Sequence, residues 1–227
     1  MNWFQEEYDF ESGAILNFYK PVGKSSFWIV KKVRYLIKTK VGHAGTLDPF
    51  ADGVLLLCTG KATKKVSEIM ALPKQYVGVI TLGVQTETDD LTGEIILKKD
   101  VPELSQDKIK EILKKFVGDI YQIPPMFSAK KVGGVRLYHL ARKGKVIERE
   151  PSLVHIDAIE MLSFDGADIT LRVNCSKGTY IRALARDVGK EIGCGAHLKK
   201  LVRTKIGNYA IEDSIDLDRF KQLLNSL

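Results

Sequence analysis

The spacing of apolar residues predicts several β-strands. Alternating apolar and polar residues, or a short apolar run bounded by turn residues, are typical of strands. Such patterns occur at residues 14–19, 54–60, 74–82, 153–162 and 168–175. The run VLLLCTG at 54–60 follows the turn-rich segment GHAGTLDPFADG and is short and apolar, so we expect a buried strand there. Asp165-Gly166 lies between the last two strands and predicts a hairpin turn.

Other segments have the 3.6-residue period of helices. Ser25 or Ser26 can cap a helix that carries Phe27, Val30, Val33 and Ile37 at helical spacing. Further helices are predicted to begin at Ser105, to cover LYHLARKG up to Gly144, and to cover TYIRALARDVGKEIG up to Gly193. The prolines and paired glycines of 124–134 predict a loop. Because the elements lack a regular βαβ rhythm, we expect an α+β fold around a largely antiparallel mixed sheet flanked by helices.

Charge adds a candidate partner to this picture. Lys and Arg outnumber Asp and Glu by 35 to 28, which gives a formal net charge of +7. Residues 12–47 contain no acid, and basic residues also dominate 130–149 and 172–205. Three basic stretches that fold onto one face would form a nucleic-acid footprint, although any one of them is also explained as a solvated surface.

Cysteine usage and the N-terminus indicate a cytoplasmic protein. Cys58, Cys175 and Cys194 are scattered and show neither a disulfide framework nor zinc-ligand spacing. The N-terminal sequence MNWFQEEYDF does not resemble a signal or transit peptide. No apolar run approaches the ~18 residues that a transmembrane helix needs, so we expect no membrane association.

Asp48 is the strongest candidate for chemistry. It lies in a segment, 42–53, that is rich in glycine, and it precedes Pro49, which biases its backbone towards an extended conformation. It is also the first acid after a long basic stretch, so basic neighbours would keep it ionised as a nucleophile or base. An Asp-Pro pair in an ordinary turn explains most of the same residues.

The segment GHAGTLDPFADGVLLL closely resembles the catalytic motif of the TruB family of tRNA pseudouridine synthases. Further segments resemble that family in its own order: KPVGKSS, PKQYVGVITLG, PPMFSAKKVGG, SKGTYIR and GCGAHLKKL. Together they span residues 13 to about 213. The resemblance implies the pseudouridine synthase fold and one catalytic domain over residues 1–227. Many bacterial members carry a C-terminal RNA-binding PUA domain, and because this sequence ends at Leu227 we expect none here.

The resemblance also implies a reaction. In the family, the motif aspartate attacks a flipped-out uridine or its ribose, so that the base detaches, rotates and rejoins through carbon. Asp48 matches that aspartate, and whether the covalent bond forms to the base or to the sugar stays open. Since the reaction is an isomerisation, we expect no cofactor and no metal. The four histidines agree, because none has zinc-ligand spacing.

Three residues match the family's pocket for the target base. Tyr76 matches a tyrosine that stacks on the base, Arg182 an arginine that pairs with the catalytic carboxylate, and Leu201 an apolar residue lining the pocket. Without the resemblance, each has an ordinary explanation: a strand tyrosine, a surface arginine and a core leucine.

Other residues match RNA contacts of the family. His43 matches a residue inserted into the RNA loop that the flipped base leaves, and Lys20 with Pro21 matches a pair that shapes the floor of the site. The segment 124–149 resembles an RNA-gripping loop whose Lys130, Lys131, Arg142 and Lys143 would meet phosphates. A turn histidine, a strand-ending proline and solvated lysines are the alternatives.

The implied substrate is uridine 55 in the T-loop of tRNA, in the T-arm. We expect a monomer that needs no guide RNA. The main alternative is a non-catalytic tRNA-binding or RNA-folding protein on the same scaffold, and a second is a small-molecule hydrolase that uses Asp48 as nucleophile.

Overall fold

The computed structural model describes residues 9–226. Residues 1–8 of the N-terminal sequence MNWFQEEYDF therefore lie outside the described residues. The strands are β1 (Ile15–Lys20), β2 (Val41–His43), β3 (Asp52–Thr59), β4 (Lys74–Leu82), β5 (Val84–Thr86), β6 (Ile95–Lys98), β7 (Gly118–Gln122), β8 (Lys131–Val132), β9 (Val135–Arg136), β10 (Ser152–Phe164), β11 (Asp168–Cys175), β12 (Ala196–Ile206) and β13 (Tyr209–Ala210). The α-helices are α1 (Ser26–Ile37), α2 (Val66–Ala71), α3 (Gln106–Lys114), α4 (Leu137–Ala141), α5 (Ile181–Ile192) and α6 (Leu217–Asn225). Gly60–Lys65 and Ile211–Asp213 form 3₁₀ turns.

The chain divides into two compact units. The first unit contains the described residues up to Lys74 and those from Val202 onwards, and the second unit contains Gln75–Leu201. This division does not test the predicted single catalytic domain, which stays a prediction.

In the first unit, β3 is the central strand. It pairs antiparallel with β1 and with β2, and in parallel with β12, where Val202 lies opposite Asp52. The side chains of β3 alternate between two apolar clusters. Leu55 and Leu57 pack with α1 and α6, whereas Val54, Leu56 and Cys58 pack with α2. Because both faces of β3 are covered, its sequence is a continuous apolar run, as predicted.

Helix α1 begins where the sequence predicts. The Ser25 side chain accepts a hydrogen bond from the Trp28 backbone N–H at 3.1 Å, so Ser25 is the N-cap. Val30 and Val33 are buried as expected, but Phe27 is 59% exposed. The buried face of the helix is centred on Ile29 instead, and Phe27 therefore points away from the core.

The boundary between the units falls within β12, whose residues up to Leu201 belong to the second unit. The strand order there is β12-β4-β11-β10-β7. The pairs β10–β11 and β7–β10 are antiparallel. Strands β4 and β11 alternate buried and half-buried positions, as expected of strands whose two faces differ in burial. Helix α5 ends at Gly193, whose φ of 93° is the left-handed conformation that closes many helices. The predicted strands, the hairpin and this helix are all confirmed.

Several elements were not predicted. The segment 124–134, predicted to be a loop, contains β8, which forms a small hairpin with β9. Strand β12 was missed altogether, because the charged residues within AHLKKLVRTKI hide its alternation. The predicted α+β class with a largely antiparallel mixed sheet is nevertheless confirmed. Within residues 9–226, no helix is long and apolar enough to cross a membrane.

Candidate active site

Asp48 lies in the loop between β2 and β3 of the first unit. Its side chain is half-buried. The residue before it, Leu47, is held by Ser26, whose hydroxyl donates to the Leu47 carbonyl at 2.9 Å and accepts from the Leu47 N–H at 2.8 Å. On the other side, the Pro49 carbonyl accepts from the Gly23 N–H at 2.7 Å. Hydrogen bonds to another segment of the unit thus hold the backbone on both sides of Asp48.

Arg203 of β12 holds the two ends of the same loop. Its side chain is 1% exposed, and its guanidinium donates to the carbonyls of Gly45 (3.1 Å), Thr46 (3.4 Å) and Val54 (2.8 Å). Its backbone packs on Gly53, where φ is 108° and an added Cβ would lie 2.3 Å from the Arg203 carbonyl oxygen. Glycine is therefore required at 53, and Arg203 ties the residues before Asp48 to those after it.

Arg203 was not among the site residues predicted from the sequence. It lies in a basic stretch of nine Lys and Arg residues, and nothing in their order marks one of them as buried. Only the pairing of Arg203 with Gly53 in adjacent parallel strands brings its side chain to the loop.

Lys20 lies at the end of β1 and is fully buried. Its ammonium donates to the carbonyls of Pro21 (2.8 Å) and Lys24 (2.7 Å). Burial lowers the pKa of Lys20 to about 8, although the nearby carboxylates of Asp52 and Asp48 partly oppose the shift. A side chain without solvent exposure is not available to a phosphate, so the structure does not support Lys20 as a direct RNA contact. The prediction that Lys20 and Pro21 shape the floor of the site stays a prediction.

Asp52 is a second acid close to this loop. Its carboxylate accepts a hydrogen bond from the Tyr19 hydroxyl at 2.6 Å. That bond is the main reason why the pKa of Tyr19 rises to about 12. Asp52 is thus engaged by a neutral donor and also contributes to the charge around Lys20.

Tyr76, Leu201 and Arg182 all lie in the second unit. Tyr76 is on β4 and Leu201 on β12, and both are largely buried. The Leu201 side chain lies next to Gly78, two residues along β4 from Tyr76, where an added Cβ would be 3.6 Å from Leu201 Cδ1. Tyr76 and Leu201 therefore lie on adjacent strands, and their role in a pocket for the target base stays a prediction.

Arg182, near the start of α5, is 3% exposed and has fixed partners within the second unit. It donates to the Thr88 carbonyl at 3.0 Å and to the Phe127 carbonyl at 2.8 Å, and it forms an ion pair with Asp90 at 3.5 Å. The alternative of an ordinary surface arginine is wrong for Arg182. Its pairing with Asp48 stays a prediction.

The segment around Asp90 was also missed by the sequence analysis. Asp89 has φ of 59°, and its carboxylate pairs with Arg186 at 3.1 Å. Burial raises the pKa of Asp89, and Arg186 opposes that shift. Asp90 accepts hydrogen bonds from Thr88 and Thr92. The adjacent acids in TETDDLTG were a visible signal, but no periodicity links them to an arginine that is about 90 residues away.

The predicted RNA-contacting residues differ in exposure. Lys131, Arg142 and Lys143 are exposed, as contacts with phosphate would need. Lys130 is half-buried and donates to the Ser152 hydroxyl. His43 is half-buried at the end of β2. In the described part of the chain, no group of three or more His, Cys, Asp or Glu side chains is arranged to hold a metal ion.

Comparison with known proteins gives consistent matches. Residues 32–181 match the family described as "TruB family pseudouridylate synthase (N terminal domain)", and residues 182–226 match "tRNA pseudouridylate synthase B C-terminal domain". A tRNA pseudouridine synthase B from Bacteroides fragilis is 46% identical over 224 residues, which cover 96% of each chain. One from Francisella philomiragia is 48% identical over 206 residues, which cover 90% of this chain and 68% of that protein.

A solved structure also resembles this chain. In a Cbf5-Nop10-Gar1 complex, one chain superposes with a TM-score of 0.71 and 30% identity over 92% of this chain. The match covers 53% of that longer chain, so this protein spans about half its length. The similarity therefore extends over nearly all of this chain in both sequence and fold.

Proposed function

The chain belongs to the TruB family of pseudouridylate synthases, and from this premise we propose that it converts uridine 55 in the T-loop of tRNA to pseudouridine. The predicted family, fold and enzyme class are thereby confirmed. The name of the relatives, tRNA pseudouridine synthase B, supports tRNA as the substrate. Position 55 and the roles of individual residues belong to the proposal.

The reaction moves the glycosidic bond and leaves the composition unchanged. The bond from N1 of uracil to C1′ of ribose breaks, a bond from C5 to C1′ forms, and the proton on C5 is replaced by one on N1. No oxidant, reductant or group donor enters this balance. The protein must extrude the base, hold it while it is detached, and supply a nucleophile.

Asp48 is the proposed nucleophile, attacking either the base or C1′. The observation that carries this assignment is the anchored loop, in which Asp48 is partly accessible while the backbone on both sides is hydrogen-bonded. A backbone held in this way limits the directions from which the carboxylate can attack. Good orientation is among the largest contributions that a protein makes to a reaction rate.

Tyr76 and Leu201 are proposed to hold the extruded base. Stacking on an aromatic ring is worth about 1–3 kcal/mol per base, and an apolar neighbour excludes water from the other side. Arg182 is proposed to pair with Asp48 and to orient it. Its two carbonyl acceptors and its contact with Asp90 hold the guanidinium in place before any substrate binds.

His43 and the exposed cations of 124–149 are proposed to contact the RNA. His43 would occupy the place of the flipped nucleotide, and Lys131, Arg142 and Lys143 would neutralise phosphates of the T-arm. We further propose that the protein acts as a monomer in the cytoplasm and without guide RNA.

Asp48→Asn tests the proposed mechanism. The amide has the shape of the carboxylate but is a poor nucleophile, so unmodified tRNA should bind with a wild-type Kd and yield no pseudouridine. Mapping of pseudouridine in the product RNA measures the outcome, and tRNA with cytidine at position 55 tests the site. Asp107→Asn, which changes an exposed acid on α3, serves as the matched control and should remain active.

Two results would contradict the proposal in different ways. Pseudouridine formation by Asp48→Asn at the wild-type rate would remove the catalytic assignment. Tight tRNA binding by the wild-type protein without any pseudouridine would favour the non-catalytic RNA-binding alternative.

A further inference from the structure

The outer surface of α1 has an unusual composition. Every exposed position of this helix carries an aromatic or a cationic side chain: Phe27, Lys31, Lys32, Arg34 and Tyr35. These residues are named the α1 outer face. The opposite side of the helix packs into the core through Ile29, Val30 and Val33, so the orientation of the α1 outer face is fixed.

An ordinary solvated helix does not explain this surface. Exposed helices usually mix acids and bases, because opposite charges three or four residues apart stabilise the helix whereas like charges there destabilise it. Residues 12–47 contain no acid at all, so Lys31, Lys32 and Arg34 have no acidic neighbour along the chain to offset their repulsion. The helix is therefore arranged for an external anion at some cost to itself.

Aromatic rings accompany these cations. The Lys32 ammonium lies 5.6 Å from the centre of the Trp28 ring, and that of Lys38, just after the helix, lies 4.2 Å from the Tyr35 ring. Phe27 and Tyr35 are 59% and 70% exposed, which leaves much of each ring accessible to a partner. Cations that bind phosphates beside rings that stack on bases or riboses are the combination that single-stranded and looped nucleic acids require.

We propose that the α1 outer face binds tRNA outside the T-arm. The inference rests on the proposed function, since it takes tRNA as the substrate. A whole tRNA is much longer than the loop that enters the active site, and its remaining phosphates form a polyanion that this acid-free surface would attract. An acidic protein would match the cations but would leave the exposed rings unexplained.

The double substitution Lys31→Glu/Lys32→Glu tests the proposal. It should weaken binding of whole tRNA about ten-fold near physiological salt, and the slope of log Kd against log salt should fall by about 1 to 2. Binding and conversion of an isolated T-arm stem-loop should not change. Lys108→Glu/Lys110→Glu on α3 makes the same change in net charge and is the matched control.

The rings are tested separately from the charges. Phe27→Ala or Tyr35→Ala should weaken binding of whole tRNA about five-fold, the lower end expected for a lost stacking contact, without changing the salt slope. Thermal melting of each variant identifies any that fails to fold. If Lys31→Glu/Lys32→Glu does not fold, the milder pair Lys31→Gln/Lys32→Gln replaces it. This pair changes the net charge by half as much, so the Kd and the salt slope should shift in the same direction by a smaller amount.

Different outcomes would contradict this inference and the proposed function on which it rests. If the charge reversal affects whole tRNA no more than its α3 control does, or weakens the T-arm equally, the inference is wrong. If the wild-type protein converts neither the T-arm nor whole tRNA, the proposed function itself fails.

Discussion

The loop 42–53 and the segment 124–149 were both selected from the sequence as RNA-facing, and the structure gives them opposite characters. The loop is hydrogen-bonded by the buried side chains of Ser26 and Arg203. The segment consists of a largely buried stretch at 124–128, the small hairpin β8–β9, the short helix α4 and the exposed residues 142–146. One is built to keep a single geometry, and the other presents charge to solvent.

The difference shows that a basic residue can serve two physical purposes. Lys20 and Arg203 are buried, and their hydrogen bonds go to backbone carbonyls of the protein itself. Lys131 and Lys143 are exposed and available to phosphate. A net charge of +7 therefore overstates the charge that is available to a partner, and exposure decides which cations count.

Arg203→Lys tests the role of the loop and should reduce activity more than any other substitution considered below. An ammonium keeps the charge but cannot reach three separated carbonyls, so the loop loses its tie and Asp48 its alignment. A misplacement of about 1 Å can cost about a hundred-fold in rate. We expect a loss of that order in kcat, and in the rate constant of a single-turnover reaction. The Kd for tRNA should stay within about two-fold, because the substituted side chain does not face solvent.

Arg172→Lys is the control for this prediction. Arg172 is an exposed arginine that pairs with Glu160, and its replacement should leave kcat unchanged. Wild-type kcat in a folded Arg203→Lys protein would show that the three hydrogen bonds do not position Asp48.

Lys20→Met should change how the free energy of unfolding depends on pH. The folded protein releases the Lys20 proton near pH 8, whereas an unfolded chain keeps it until about 10.5. Between these two pH values the unfolded state therefore binds more protons than the folded state. The contribution of Lys20 to the free energy of unfolding rises with pH in that range, by at most about 1.4 kcal/mol per pH unit. Denaturant unfolding of both proteins between pH 7 and pH 10 measures the difference.

The expected result is a curve that rises more steeply above pH 8 for the wild type than for Lys20→Met, with parallel curves below it. If the two curves stay parallel throughout, the pKa of Lys20 in the folded protein is that of an ordinary exposed lysine.

Lys143→Ala should have the smallest effect and tests the segment side. Loss of one phosphate contact should raise the Kd for tRNA about three-fold and lower the salt slope by about 1, while kcat stays unchanged. Lys130→Ala is the internal comparison, since its ammonium already donates to Ser152 and its loss should change the salt slope less. Equal salt slopes for wild type and Lys143→Ala would show that Lys143, although exposed, does not contact a phosphate of the tRNA.

Much of the fold could be predicted because local patterns determine local structure. The alternation in β4, the hairpin around Asp165-Gly166 and the caps of α1 and α5 follow from residues close together in the sequence. Strand β12 could not be predicted in this way, since its charged residues obscure the period. The resemblance of short motifs identified the family, because the order of several segments is itself information that a linear sequence carries.

The fold class, the family and the residue proposed to attack the uridine could all be predicted from the amino-acid sequence. The burial of Lys20, the pairing of Arg182 with Asp90 and the tie that Arg203 makes across the loop around Asp48 became visible in the folded protein. The physical reason is that burial and the partners of a cation depend on strands far apart in the chain. Arg203 reaches the loop because β12 runs beside β3, about 150 residues away, and no local pattern records that neighbour.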